Sequence, residues 1–419
     1  MIPTETLRDI VIQQKAAASL PEGNVRRDLL DKMLKLLPDP RVLILTGLRR
    51  SGKSTLLRQA FLGRKDYCYV SFEDERFAGF KSSEFEQLNG VLLEEYPDAR
   101  TYFFDEIQNV EGFESFVRRL QDQGKKIVVT GSNASLLSSE FGTRLTGRYK
   151  ALEVWPFSFV EYLRWKGIVP GKDWPHLSEK KALLARSFRD YLLEGGLPEY
   201  LRNRDADYVR TLYENILYRD IITRYAIRRQ RVIKEMVNLL ASSVSSRFTY
   251  NALKNGLGLA NALTVKEYVS YLQNAYLFFE LPAFDFSLRR QLRSPKKVYL
   301  VDPAFHRIAG QRFSDDRGRL LENAVFIELR RRGSELSYHA GKRECDFLVK
   351  EGSRVTYAVQ VCSSLERDNE QREVEGLLEA MERFRLRSGL LLTLDQDETR
   401  SVGKRKIQIM PAWKWMLSA

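Results

Sequence analysis

Cysteine is scarce in this chain: three in 419 residues, Cys68, Cys345 and Cys362, widely spaced and odd in number. That usage builds neither a disulfide framework nor a zinc site. Long hydrophobic runs are missing as well. No window approaches eighteen uninterrupted apolar residues, so the sequence offers no candidate membrane-spanning helix. The opening stretch, MIPTETLRDIVIQQK, has no apolar segment between a basic region and a small-residue cleavage site, so a secretory signal is not expected and the cytoplasm is. Acid falls short of base: 55 Asp and Glu against 68 Lys and Arg leave a formal charge of +13. The excess favours a polyanionic partner, unless it is spread evenly as solvated surface. What is present, 43% hydrophobic and 29% charged, is the composition of a globular protein, and the length suffices for two to four domains with their own cores.

The first informative run is VLILT, residues 42 to 46, followed by GLRRSGKST and the helical pattern LLRQAFL. Strand, glycine loop and helix follow in that order. The spacing of Gly47, Gly52, Lys53 and Ser54 fits a phosphate-binding loop. Glycines turn backbone N–H groups toward an anion, the lysine reaches the β- and γ-phosphates, and the hydroxyl can ligate magnesium. A second apolar run, TYFFDEIQNV (101 to 110), ends in Asp105 and Glu106; the first acid can hold magnesium and the second can polarise water. A third, KIVVTGSNAS (126 to 135), ends in Gly131, Ser132 and Asn133, polar groups suited to sensing a γ-phosphate. Three strand ends converging on one pocket is the arrangement of an open parallel sheet.

Taken in order, GLRRSGKST, FFDEIQ, VVTGSNASLL, LTGR, WPFSFVEYL and GGLPEYL resemble the AAA-superfamily ATPases widespread in archaea and bacteria, whose members carry a C-terminal domain with a nuclease-like core. The resemblance covers nearly the whole chain. It implies an α/β P-loop NTPase sheet of the class with an added strand between those of the two Walker motifs, and ATP and Mg2+ as cofactors. It carries over Gly47, Gly52, Lys53, Ser54, Asp105, Glu106 and Asn133 as nucleotide-site residues, to which the loop adds Arg50, Ser51 and Thr55. Arg148 of LTGR, with Arg144 as its rival, is a candidate to contact the γ-phosphate in its own or a neighbouring subunit.

From Pro156 the apolar spacing turns to three and four, predicting a helical lid and connector over 156–235 after an ATPase domain over 1–155. Residues 247 to 281 then outline two short helices around Gly256-Leu257-Gly258, with Thr264 and Glu267 spaced as a capping box. Val265, Tyr268, Val269 and Leu272 form the apolar stripe of the second helix, leaving Lys266, Ser270, Gln273 and Asn274 outward. The stretch 287–300 holds Arg289, Arg290, Arg293, Lys296 and Lys297 with no acid. A helix-turn-helix followed by a basic hairpin reads as a winged helix, assigned to 236–312, that binds duplex DNA. Five wing bases on phosphates predict a slope of log affinity against log salt of about −4.5. A protein-binding module is the alternative.

Over 313–419 the order is a helix bearing Glu322 on its apolar stripe, a strand placing Glu344, Asp346, Leu348 and Lys350 on one face, and the strand VTYAVQVCSS. The resemblance implies a restriction-endonuclease-like α/β domain, whose active members use a helix acid, a strand aspartate and a glutamate-x-lysine. Glu322 and Asp346 match; Gln360 and Cys362 stand where the glutamate and lysine belong. Gln360 offers an oxygen without charge, and Cys362 is a soft ligand that magnesium disfavours. The expectation is a degenerate nuclease site, with Lys350 or Lys342 as a displaced lysine and an ATP-regulated DNA nuclease as the active alternative. The whole reads as a Mg-dependent ATP hydrolase coupled to a C-terminal module.

Overall fold

The structure is a computed structural model, and it describes residues 1–20, 23–134, 147–309 and 317–418. The chain divides into two compact units, one of residues 1–155 with 274–276, the other of residues 156–273 and 277–419.

The first unit holds β1 (Val42–Thr46), β2 (Tyr67–Ser71), β3 (Thr101–Asp105), β4 (Lys126–Gly131) and β5 (Tyr149–Glu153) in one sheet of order β2-β3-β4-β1-β5. Every pairing is parallel. Its helices are α1 (Thr4–Ala16), α2 (Leu29–Leu36), α3 (Lys53–Phe61), α4 (Phe85–Glu95) and α5 (Phe113–Asp122). A strand buried on both faces needs an unbroken apolar run, which VLILT supplies. The period of two then sorts its side chains. Val42 and Ile44 join Phe104, Val129 and the apolar sides of α1, α4 and α5. Leu43 and Leu45 join Phe103, Val128 and those of α2 and α3. Each side chain so buried stabilises the fold by roughly 1.5–3 kcal/mol relative to exposure.

In the second unit, α6 (Phe159–Trp165), α7 (Ser178–Glu194), α8 (Pro198–Asn203), α9 (Ala206–Asn215) and α10 (Gln230–Ser242) come first. Gly195 ends α7 with φ 74°, and a Cβ there would lie 1.9 Å from Asp302 Oδ1. Only glycine fits such a turn. Next come α11 (Tyr250–Gly256), α12 (Ala262–Asn274) and α13 (Leu288–Arg293), with β6 (Arg247–Phe248), β7 (Phe278–Pro282) and β8 (Lys296–Leu300) in an antiparallel sheet of order β6-β8-β7. The remainder is α14 (Arg317–Arg331), the antiparallel meander β9 (Glu335–Ala340), β10 (Glu344–Glu351) and β11 (Arg354–Val361), then α15 (Glu370–Arg383), β12 (Ser388–Thr393), β13 (Glu398–Val402), β14 (Arg405–Pro411) and α16 (Ala412–Leu417). β12 runs parallel to β11, and the sheet order is β13-β14-β12-β11-β10-β9.

Three sequence expectations are corrected here. The second helix of the pair opens at Ala262, with Asn261 Oδ1 accepting from Leu263 N at 2.8 Å, so Thr264 lies inside it and caps nothing. The stretch after β7 is not a simple hairpin, because Arg289, Arg290 and Arg293 sit on α13, whose first turn Ser287 caps through Arg290 N. In β10 the alternation breaks. A register shift between Cys345 and Leu348 puts Leu348 in the core beside Cys345, off the face of Asp346.

Candidate functional site

Residues 47 to 52 take left-handed backbone at three points: Gly47 at φ 150°, Arg50 at 65° and Gly52 at 95°. A Cβ on Gly47 would lie 2.1 Å from Val154 O, and one on Gly52 would lie 2.6 Å from Arg27 Nη1. The loop therefore turns tightly from β1 into the N-terminus of α3, where backbone N–H groups and the helix dipole favour an anion. Lys53 opens that helix, buried, its Nζ donating to Gly47 O at 3.2 Å and Leu48 O at 3.1 Å and lying 3.6 Å from Glu106 Oε1. Arg27 clamps the loop from the amino-terminal side, donating to Ser51 O at 2.8 Å and Trp155 O at 2.6 Å. Sequence reasoning missed Arg27, since nothing local marks a residue so far from the loop.

Asp105 ends β3, buried. Its Oδ1 accepts from Thr130 Oγ1 at 2.5 Å and its Oδ2 from Tyr69 OH at 3.3 Å. Burial and then the neighbouring Glu106 push its pKa up, while hydrogen bonds from Thr130 and Ser54 and the charge of Lys53 pull the other way. A dication at this point would remove the conflict. Glu106 has φ 51°, and its N–H donates to Thr130 Oγ1 at 2.8 Å, while Gln108 Nε2 donates to its carboxylate. Because β4 lies between β1 and β3, Asn133, buried just past the end of β4, emerges between the loop and the acid pair.

Arg148 falls elsewhere. It precedes β5, whose first residue Tyr149 pairs with Val42, the first residue of β1, so it lies at the amino end of the sheet. A five-residue strand spans roughly 16 Å, which puts the loop of its own chain out of reach. Arg148 is half-exposed and pairs with Asp122 at 3.2 Å. Arg144, Leu145 and Thr146 lie outside the described residues.

On α12, Val265, Val269 and Leu272 are buried and Lys266 is exposed. Ser270 Oγ turns back to Glu267 O at 2.7 Å, and Gln273 Nε2 donates to Glu280 Oε2 at 3.2 Å, so these two are engaged within the module. Arg289, Arg290 and Arg293 are exposed on α13. Lys296 and Lys297 are not. Lys296 is buried and donates to Leu292 O and Ser294 O, both at 3.0 Å. Lys297, on the other face of β8, is the centre of a different cluster.

Its ammonium donates to Glu322 Oε1 and Asp346 Oδ1, both at 2.8 Å, and forms an ion pair with Glu344 Oε1 at 2.7 Å. Tyr299, two residues on, donates to Glu322 Oε1 at 2.7 Å. Burial, then the charge of Asp346, pushes Glu322 up to about 8. Burial opposes the charge on Lys297, but Asp346 and Glu322 together outweigh it and hold its pKa well above the ordinary range. Gln360 joins the group, its Oε1 accepting from Asp346 N at 3.2 Å and its Nε2 donating to Glu373 Oε2 at 2.6 Å. Cys362 is buried, and burial pushes its thiol up to about 12, so it carries no charge here. The lysine that meets Glu322 and Asp346 is thus Lys297, and Glu373 on α15 is an acid the sequence reading did not pick out.

A family model described as an AAA domain matches residues 39–163, and one described as a domain of unknown function (DUF8612) matches residues 185–314. Together with the parallel sheet and its glycine loop, the first match defines an AAA-type ATPase domain. The chain belongs to the family of an uncharacterized protein of Methanocaldococcus jannaschii, to which it is 32% identical over an alignment of 439 positions covering 100% of this chain and 97% of that one. An uncharacterized protein of Haemophilus influenzae is 28% identical over 86% of this chain and 91% of its own length. Among solved structures, the Walker-type ATPase of Pyrococcus abyssi aligns over 70% of this chain and 97% of that one, with 18% identity and a TM-score of 0.49. Among the described residues no helix is long and apolar enough to cross a membrane.

Proposed function

We propose that the protein is a Mg-dependent ATP hydrolase that couples its nucleotide state to a C-terminal module binding duplex DNA. In this reading Lys53 and the loop's backbone N–H groups hold the β- and γ-phosphates, and Ser54 and Asp105 hold magnesium. Magnesium, when bound, offsets the charge that develops on the transferring phosphoryl group. Glu106 takes a proton from the attacking water, and Asn133 reports on the γ-phosphate.

The observation that carries the coupling is the segment Asn274–Tyr276, which clusters with the first unit although Gln273 before it and Leu277 after it belong to the second. Asn274 O accepts from Ala134 N at 2.8 Å, directly after Asn133. Tyr276, at φ 58°, donates through its hydroxyl to Thr46 Oγ1 at 2.7 Å, directly before Gly47. Residues at the ends of β4 and β1 therefore hold Asn274, the last residue of α12, and Tyr276. A shift at either end passes along the chain into that helix.

The pair α11–α12 with its antiparallel sheet supports the winged-helix reading, and the meander followed by α15 and a parallel β12 supports the nuclease-like one. With Lys296 and Lys297 buried, three arginines remain on α13 for phosphates, Arg290 on release from Asp285 at 3.0 Å. The slope of log affinity against log salt for a duplex is then expected at about −2.7, not −4.5. A titration monitored by fluorescence anisotropy checks this, and a flat salt response would remove the DNA reading.

A further inference from the structure

Lys297 lies at the floor of a cavity of 640 Å³ that also reaches Glu322, Asp346, Gln360 and Glu373. Such a volume is that of a ligand site. The ammonium donates to two carboxylates at 2.8 Å and lies 2.7 Å from a third. The position between helix acid and strand acid is therefore filled by a fixed cation belonging to the chain. Magnesium would need oxygens at about 2.0–2.1 Å and near-octahedral order, whereas these oxygens are spaced around an ammonium. Among the described residues no group of three or more His, Cys, Asp or Glu side chains is arranged to hold a metal ion.

Gln360 fits the same logic. A glutamate there would set a further negative charge against Glu373, and the amide instead donates to that carboxylate while accepting from Asp346 N. Around this neutralised floor stand Arg247, Arg319, Lys342, Arg343 and Arg372, so six cationic side chains line the cavity against four carboxylates. The balance favours an anion. The volume is enough for a nucleotide or two of one strand.

We propose that this cavity binds the phosphodiester backbone of a single DNA strand without cutting it, Lys297 standing permanently in the place of a divalent cation. The proposal rests on the reading of the C-terminal module as DNA-binding and adds a second contact to it. Arg372 and Lys342 on the rim touch the phosphates, and the acids below hold Lys297 and the rim in place.

The test uses the full-length protein and a fluorescein-labelled oligothymidine, with affinity read by anisotropy in EDTA and in magnesium. Equal affinity in the two, a loss of about tenfold in an Arg372→Ala/Lys342→Ala double variant, and an intact strand on a denaturing gel are expected. Both rim side chains are exposed, but Arg372 donates to Glu373, which holds Gln360, so thermal unfolding of the double variant is the control for fold. Affinity unchanged in the double variant, or strand cleavage that needs magnesium or manganese and is lost in Asp346→Ala, would overturn the proposal. Duplex binding distinguishes the two levels. If duplex still binds through Arg289, Arg290 and Arg293 while the rim variant changes nothing, this proposal alone fails; if neither form of DNA binds, the reading beneath it fails as well.

Discussion

Lys53→Ala is expected to reduce ATP turnover by about 10²–10³-fold or more, the range seen when one preorganised charge-stabilising donor is removed. The side chain is buried at the start of α3 and its ammonium bridges the loop carbonyls of Gly47 and Leu48 while facing Glu106 at 3.6 Å. A phosphate entering the loop supplies the counter-charge that those carbonyls supply only in part. Phosphate release under saturating ATP and magnesium measures the effect, with thermal unfolding as the control for fold. Turnover retained in the variant would remove the nucleotide-site assignment.

Glu106→Gln is expected to lower turnover by about 10²–10⁴-fold, the usual contribution of a general base, while nucleotide binding persists. The two carboxylates of this site have different surroundings. Asp105 is tied to Thr130 and Tyr69, whereas Glu106 is turned by a left-handed backbone whose N–H is held by Thr130 and carries its carboxylate toward Lys53. A residue other than glycine in that conformation costs about 1–3 kcal/mol, a strain that surrounding structure has to hold in place. The substitution keeps the shape and one acceptor oxygen, and removes the charge that accepts the proton together with the ion pair to Lys53. A fluorescent ATP analogue that binds as tightly as before, with hydrolysis lost, is the expected pair of results. Loss of both together would assign Glu106 to binding.

The nucleotide loop was legible because its chemistry is local. VLILT, the glycine spacing, Lys53 and the strand-terminal Asp105 and Glu106 are all short-range signals, and the parallel sheet follows from strands that are apolar on both faces. Arg148 lies close in sequence to Asn133, but it precedes β5 and so stands at the amino end of the sheet, away from the loop of its own chain. Lys297 is a related case. Beside Arg289, Arg290, Arg293 and Lys296 it looks like one more exposed base, and only the pairing of β8 with its neighbours decides that it shares a face with Tyr299 and meets Glu322. Glu373 and Arg27 carry no local signal at all. Their partners, Gln360 and Ser51, are close only after folding.

Nucleotide hydrolysis and DNA binding are proposed to act on one another through the chain segment that leaves α12. Steady-state ATP turnover of the intact protein, measured with and without duplex DNA at the same salt, tests it most directly. Duplex is expected to raise the rate severalfold, and Arg289→Ala/Arg290→Ala/Arg293→Ala to lose the increase while keeping the rate without DNA. A rate that DNA leaves unchanged at concentrations where it is bound would contradict the coupling.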